Sequence, residues 1–234
     1  LMKMVQWYTN GAKNIECSYH NGNLNMQYTS WYKNGHTQEN TNYNNGKLIG
    51  EFTYWYENGN PKAEGTYVNG SLDGKYNAWT AEGNKFEEKS FESGLLHGIS
   101  ISWYDNGNKK EEGSYIENRK DGPWATWYKS GKKKEQGIYK DDKKDGEWRS
   151  WYYNGQRYYK RNYKNGQKHG EWVWWYDNGQ KKYTGAYKNG KKDGQWFEWS
   201  TTGKLVLNGS YKNGKKWDGD FKDGNYISGK KQNL

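Results

Sequence analysis

The chain has 234 residues, a formal net charge of +10 and a single cysteine, which excludes an intramolecular disulfide framework. No apolar run approaches the roughly 18 residues of a membrane span. Leu, Ile, Val and Phe together supply only 25 residues, a level that usually signals disorder, yet the 15 Trp and 23 Tyr can each bury about 150–250 Å².

In chain order, a Trp-Tyr pair first occurs at Trp7-Tyr8. It returns every 24 residues at Trp31-Tyr32, Trp55-Tyr56, Trp103-Tyr104, Trp127-Tyr128, Trp151-Tyr152 and Trp175-Tyr176, while Trp79-Thr80 and Trp199-Ser200 keep the Trp alone. A second column runs Tyr19, Tyr43, Tyr67, Phe91, Tyr115, Tyr139, Tyr163, Tyr187, Tyr211. A gapless period implies one continuous repeat array over residues 1–234. Residues 1–26 hold the first unit and 27–70 two well-kept ones. Residues 71–100 are eroded: Ala81-Glu82-Gly83 replaces the usual turn, Lys89 fills a Gly slot and Ser100 an aromatic slot, so a bend or a weaker contact is expected there. Residues 101–200 are the most regular. Residues 204–227 are atypical, with an extra residue in Lys215-Lys216-Trp217-Asp218-Gly219, as suits a terminal cap. Residues 228–234 are expected to fray. Cys17 stands in the column of Gly65, Gly113, Gly137, Gly185 and Gly209 and is read as a small residue in a repeat slot. No signal peptide is visible, but Leu1 already lies inside a repeat, so this decides nothing.

Each unit carries two turn signals. Asn-Gly follows Trp-Tyr, as in Asn154-Gly155 and Asn178-Gly179, and favours a two-residue type I′ turn. The other is a six-residue loop such as Asn165 to Gly170. Runs rich in Trp, Tyr and Thr lie between them, and no segment of useful length lacks a Gly. The expected fold is all-β: an elongated, single-layer, twisted antiparallel β-meander of about nine 24-residue hairpin repeats. At roughly 4.8 Å per strand it would be about 85 Å long. With Asn178-Gly179 as the loop, Trp172 lies opposite Gly185, Trp174 opposite Tyr183 and Trp175 opposite Lys182. One face then carries Trp172, Tyr176 and Tyr187, with Gly185 making room for the Trp172 ring. The other carries a half-exposed row of Trp55, Trp103, Trp127 and Trp175 beside Lys62, Lys110, Lys134 and Lys182.

Charge is lopsided. Residues 1–117 hold 10 basic and 14 acidic side chains, whereas 118–234 hold 27 and 13, which suggests that one end meets an anionic partner. Enrichment of Lys, Asn and Tyr together also has a compositional explanation; the Trp pattern does not.

Residues that could carry catalysis are sparse. His97 and His169 occupy the turn column otherwise filled by Asp73, Asp121, Asp145 and Asp193, and no histidine pair has metal-ligand spacing. That Asp column is read as turn chemistry in preference to a calcium ladder. Glu64, Glu88 and Glu112 stack one unit apart, loosely compatible with an inverting glycosidase pair, but a solvated face explains them better. No phosphate loop or nucleophile elbow is present, and short loops offer no deep pocket. The expectation is a non-enzyme without metal or cofactor.

The pattern Gly-x-Trp-x-x-Trp-Tyr-x-Asn-Gly…Gly-x-Tyr-x-Asn-Gly-Lys-x-Asp-Gly, in nine units over nearly the whole chain, resembles the MORN repeat, more closely its bacterial variant with Trp-Tyr-x-Asn-Gly units. The resemblance implies an elongated twisted sheet and a scaffolding role, with protein contacts or membranes and phospholipids as partners. The variant also carries an antitoxin-family label.

Two functions follow. The preferred one is a non-enzymatic interaction module, bacterial and secreted or surface-associated rather than cytoplasmic, that binds a protein or cell-surface partner along an aromatic, basic sheet face. The alternative is a binder of anionic polymers (nucleic acid, acidic glycan or anionic lipid) through the basic C-terminal half. A binding residue should depart from its repeat column. Trp174 does so against Tyr54, Ala78, Ser102, Thr126, Ser150 and Glu198, and Tyr183 and Tyr159 do so against Ala63, Glu87, Glu111 and Glu135. With Tyr158, Arg157, Lys160, Arg161 and Lys182 they form the candidate binding set. A simple cross-strand pair of Trp174 with Tyr183, worth about 0.2–1 kcal/mol, is the more economical explanation of those two residues.

Overall fold

The computed structural model describes residues 1–232. Every helix- or strand-type element among them is a strand, 24 in all, assigned to one antiparallel sheet that meanders through repeated hairpins. The residues group into two compact units, Leu1–Arg119 and Lys120–Leu234.

The hairpin register agrees with the sequence as far as Trp174. Strand Gly170–Trp175 pairs with Lys181–Lys188, placing Trp172 opposite Gly185 and Trp174 opposite Tyr183. One residue later the expectation fails, because Trp175 faces Lys181 and not Lys182. The turn is the cause. Gly179 donates its N–H to the Tyr176 carbonyl (3.0 Å), Tyr176 donates to Gln180 (2.8 Å), and only Gly179 of the loop has positive φ, at 86°. This is a three-residue loop, a type I turn closed by a left-handed Gly, and its odd residue makes a bulge after Trp174. Asn178 is suited to it for another reason: its Oδ1 accepts the Gln180 N–H (3.0 Å) and its Nδ2 donates to the Thr201 carbonyl in the next unit (2.9 Å).

The type I′ turns are at the other signal. Asn165 and Gly166 have φ of 50° and 79°, and Lys164 pairs with Gln167. The expected six-residue loop is thus a two-residue turn followed by strand.

Side chains join successive units. The hydroxyl of Tyr152 donates to the Trp175 carbonyl (2.8 Å) and that of Tyr176 to the Trp199 carbonyl (2.9 Å); Tyr8, Tyr32 and Tyr56 do the same in the first unit. The Asp column has a matching use. Asp145 accepts the N–H of Asn165 (2.9 Å) and Asp193 that of Asn213 (3.3 Å), each tying one turn to the next.

In the first unit the core is modest in ring size. Phe52, Ala63 and Ala78 are buried, with Tyr54, Tyr67, Leu72 and Tyr76 packed on them, and Cys17 is buried in its small-residue slot. The eroded segment keeps its hairpin: Gly83 donates to Thr80 (2.9 Å) and Thr80 to Asn84 (2.8 Å). In the second unit the core is a ladder of indoles. At the C-terminus strand Lys215–Phe221 pairs with Leu205–Lys212, with Gly219 opposite Gly209, Lys216 opposite Tyr211 and a register shift between the two pairs. The expected fraying from residue 228 is not seen up to 232, since Gly224–Ile227 pairs with Lys230–Lys231; residues 233–234 lie outside the described residues.

Candidate functional site

The face that matters is built on Trp124, Trp148, Trp172 and Trp196 of the second unit, which are 5%, 1%, 2% and 4% exposed. Each of the last three satisfies its indole N–H on the preceding strand: Trp148 to the Ile138 carbonyl (3.0 Å), Trp172 to Asn162 (2.8 Å) and Trp196 to Ala186 (3.2 Å). Tyrosines alternate with them. Ring centroids are 4.9 Å apart for Tyr139–Trp148, 5.3 Å for Tyr163–Trp172, 4.8 Å for Trp172–Tyr187 and 5.2 Å for Tyr187–Trp196, with edge or tilted contacts throughout.

The glycine column serves this ladder, one strand away from where the sequence put it. Gly185 lies beneath the Trp196 ring, not that of Trp172, and Gly137 beneath Trp148; a Cβ at either position would overlap the indole. At the corresponding place under Trp172 stands Arg161. Its guanidinium sits 3.7 Å from the Tyr159 ring centre, 5.2 Å from Trp172 and 5.4 Å from Trp174. Its buried Nε has no hydrogen-bond partner among the described residues.

Over the rings runs a row of lysines. Lys144 Nζ lies 3.7 Å from the Trp148 ring centre, Lys168 5.1 Å from Trp172 and Lys192 4.1 Å from Trp196. Lys120 caps Trp124 at 3.9 Å and Lys216 caps Phe221 at 5.1 Å. These lysines lay in what the sequence marked as loops and were missed. The signal was there: the same column reads Leu24, Leu48, Leu72 and Leu96 in the first unit and Lys120, Lys144, Lys168, Lys192 and Lys216 in the second.

The sequence-derived candidates divide between the two faces. Trp174, Tyr183, Tyr158 and Lys182 line one cleft of about 300 Å³, together with Lys192 and Trp196. Tyr159 and Arg161 are on the same face, the former 8% exposed and in hydrogen-bond contact with Glu135. The bulge accounts for Lys182, whose Nζ lies over Tyr176 (5.1 Å) and Tyr183 (5.5 Å) instead of Trp175. Lys62 and Lys134 likewise sit over Tyr56 and Tyr128. Arg157 and Lys160 belong to the opposite face. Arg157 pairs with Trp151 and lies 5.9 Å over Trp175, and Lys160 forms ion pairs with Glu171 (2.8 Å) and Glu147 (3.6 Å). Cations do lie over the Trp row expected there, but from other positions: Lys133 over Trp127 (5.8 Å), Lys85 over Trp103 (6.0 Å) and Arg157 over Trp175 (5.9 Å).

Electrostatics sharpen the picture. Burial raises the phenol of Tyr159, and its bond to Glu135 raises it further. Burial also raises Tyr163 and Tyr187. Lys192 is pushed down by burial; Glu198 opposes this and repulsion from Lys168 adds to it. The glutamates weighed for hydrolysis are tied down: Glu64 accepts from Asn77 (3.0 Å), Glu88 pairs with Lys85 (3.1 Å) and Glu112 with Lys109 (2.8 Å). Among the described residues no three His, Cys, Asp or Glu side chains converge as a metal site requires, and no helix is long and apolar enough to cross a membrane. Chemically, the ring face can offer hydroxyls, ring edges and ammonium groups to a ligand laid along it.

A search of curated protein sequences finds no significant match. Two solved structures with weak similarity are titled Crystal Structure of TcdB2-TccC3-TEV and Crystal Structure of TcdB2-TccC3-Cdc42. The first is 11% identical with a TM-score of 0.20 and the second 8% identical with a TM-score of 0.23. The alignments cover 89% and 90% of this chain, but the chain spans only 13% and 16% of the length of those two. Such scores establish no common fold. The family profile described as the MORN repeat variant matches residues 48–69, 96–117, 120–141, 144–165, 168–189 and 192–213. These matches take in more than half of the residues at the spacing of the structural repeat, and the chain belongs to the MORN repeat variant family.

Proposed function

We propose that this protein is a non-catalytic interaction array and that its second unit takes a protein partner on the ring face. MORN repeats in general are protein- and membrane-interaction modules. The observation that carries the proposal is the cleft at Trp174 and Tyr183, the two residues that depart from their repeat columns. They do form a cross-strand pair, edge to face at 6.1 Å. The pair alone accounts for their mutual contact but not for the cations gathered beside it: Lys182 and Lys192 line the same cleft, and neither has a carboxylate within ion-pair distance among the described residues. A cleft of rings and cations suits the aromatic and acidic side chains of a protein surface.

The test compares the chain with a variant carrying Trp174→Ser and Tyr183→Glu, the residues other units have at these places. Both are screened against one array of proteins, glycans, lipids and oligonucleotides. Loss of a protein signal from the folded variant is the expected result. An unchanged signal refutes the site and leaves the two residues a structural pair.

A polyanion reading is favoured by one observation, the 26 basic against 13 acidic residues between 120 and 234. It predicts affinity that falls steeply and linearly in log salt, with about one counterion released per phosphate neutralised. A protein partner held largely by rings would show a shallower slope.

A further inference from the structure

We infer that Lys168 and Lys192 are seats for carboxylates of the partner, and that the segment seated on them is an acidic, extended stretch of protein chain. This rests on the binding role proposed above for the ring face.

The protein contains its own template for such a seat. Lys144 belongs to the same column and is satisfied internally: it pairs with Glu135 (2.6 Å), and the hydroxyl of Tyr159 bonds the same carboxylate oxygen. Lys216, the last of the column, pairs with Asp223, which also accepts from the hydroxyl of Tyr226. In both cases a lysine over rings and a tyrosine hydroxyl share one carboxylate. Between them the carboxylate of that position is lost; Glu198, which accepts from the hydroxyl of Tyr183 (3.3 Å), is paired with Lys222 (2.9 Å) and with neither Lys168 nor Lys192. The Glu135 position becomes Tyr159 one unit on and Tyr183 two units on. Lys168 and Lys192 are left over the rings of Trp172 and Tyr187, and of Trp196 and Tyr211, with no carboxylate within ion-pair distance among the described residues. Lys182 and Arg161, close by on the same face, have none either. Lys192, Lys182 and Arg161 are half-buried and Lys168 is exposed. Burial and repulsion from Lys168 disfavour the charge of Lys192, Glu198 opposes this only from beyond ion-pair distance, and an anion laid across the two lysines relieves both effects.

Geometry narrows the ligand. Equivalent lysines are one unit apart, about 9.6 Å at two strand spacings. A polyproline-II-like chain presents every third side chain on one side, about 9.3 Å apart. Stacking of nucleic-acid bases needs open ring faces. Here Trp172 and Trp196 are buried and capped by the lysines, so what faces the ligand is ammonium and phenol.

The test uses the full chain and a labelled twelve-residue peptide with Glu at every third position, against the same peptide with Gln. Fluorescence anisotropy reads the affinity at moderate salt. The Glu peptide should bind and the Gln peptide should not. The variant K168L/K192L places in the second unit the leucine that the first unit already carries in this column, so folding should survive. It should weaken binding roughly tenfold or more. K143M/K191M removes the same charge from exposed positions at the starts of two strands and should change affinity no more than about twofold. Tyr159→Glu with Tyr183→Glu, which restores the internal carboxylates, should also abolish binding. Full affinity in K168L/K192L overturns the inference, as does tighter K168- and K192-dependent binding of polygalacturonate or an oligodeoxynucleotide. If the peptide does not bind while a protein partner from the array depends on Trp174 and Tyr183, the carboxylate seats fall and the binding role stands.

Discussion

Trp148→Ala tests the basis of the second unit. Trp148 is 1% exposed, its N–H reaches the Ile138 carbonyl at 3.0 Å, Lys144 caps it at 3.7 Å and Tyr139 abuts it at 4.9 Å. Burial of up to about 250 Å² at roughly 25 cal/mol/Å² gives an upper bound near 6 kcal/mol. Partial collapse onto Gly137 offsets some of this, while the abandoned carbonyl adds about 1 kcal/mol, so a loss of about 3–5 kcal/mol is expected. Denaturant unfolding followed by circular dichroism measures it. Stability in an array is a sum of unit and interface contributions, so the curve should split into two transitions, with the weakened part melting first. Trp175→Ala, half-buried on the other face, should cost less than about 2 kcal/mol. A loss below about 1 kcal/mol for Trp148→Ala, or an equal loss for both variants, would refute the ladder as the core.

Tyr176→Phe removes the hydroxyl bonded to the Trp199 carbonyl (2.9 Å) and should cost about 0.5–1.5 kcal/mol in the same assay, with little change in the near-ultraviolet spectrum. His169→Asp should stabilise by about 0.5–1.5 kcal/mol, because Asp145 and Asp193 tie down the N–H of Asn165 and Asn213, whereas the N–H of Asn189 has no such tie. A stability unchanged or lowered would show that the turn cannot take the bond. Alkaline pH should unfold the second unit. The phenols of Tyr159, Tyr163, Tyr187 and Tyr211 are raised chiefly by burial, so their contribution is complete below the ordinary tyrosine value of 10.0 and is lost as pH rises through the higher folded values. Lys192, lowered by burial, works in the opposite sense just below 10.5, but it is one group against several. Tyrosinate absorbance and circular dichroism should change together above pH 10; independent titration of the tyrosines in a folded chain would contradict their burial.

The period of 24 made strand content, hairpin pairing and the alternation of faces legible, because a repeat that needs the same contacts in every unit writes them at fixed intervals. Trp172 opposite Gly185 and Trp174 opposite Tyr183 followed from counting. Asn178-Gly179 misled because Asn-Gly suits two turns. It closes a type I′ turn when both residues take positive φ, as Asn165-Gly166 does, but in the Trp-Tyr-x-Asn-Gly setting only the Gly does so. One extra loop residue then moved Lys182 from the Trp175 side to the ring face. Which glycine lies under which indole could not be counted either. A Trp ring leans across a strand, so Trp196, not its paired neighbour, covers Gly185. Of the binding candidates, Trp174, Tyr183, Tyr158 and Lys182 come together in one cleft, whereas Arg157 and Lys160 line a different, smaller one with Tyr159, Trp151 and Trp175.

The +10 charge admits a compositional origin, and the ring face argues against that origin for part of it. Drift toward lysine codons would scatter lysines over exposed positions. Instead one column is Leu in four successive units and Lys in the next five, and the ring beside it changes with it in seven of the nine, Ser100 and Phe221 being the exceptions. Tyr28, Phe52 and Tyr76 accompany the leucines, whereas Trp124, Trp148, Trp172 and Trp196 accompany the lysines. Indole has the strongest face for a cation, worth about 0.5–2 kcal/mol as the site becomes less hydrated. The larger ring also keeps the aliphatic stem of Lys packed where Leu would otherwise fill space. Where both exchanges occur they support each other, because Leu over indole would forgo the cation contact; Lys216 lies over the smaller ring of Phe221 and pairs with Asp223. The change falls at Lys120, where the second compact unit begins, so the two units carry different ring faces on one backbone pattern. An apolar ring face needs no partner to be stable. A cationic one is complete only with anions, supplied internally at Lys144 and Lys216 and not at Lys168 and Lys192.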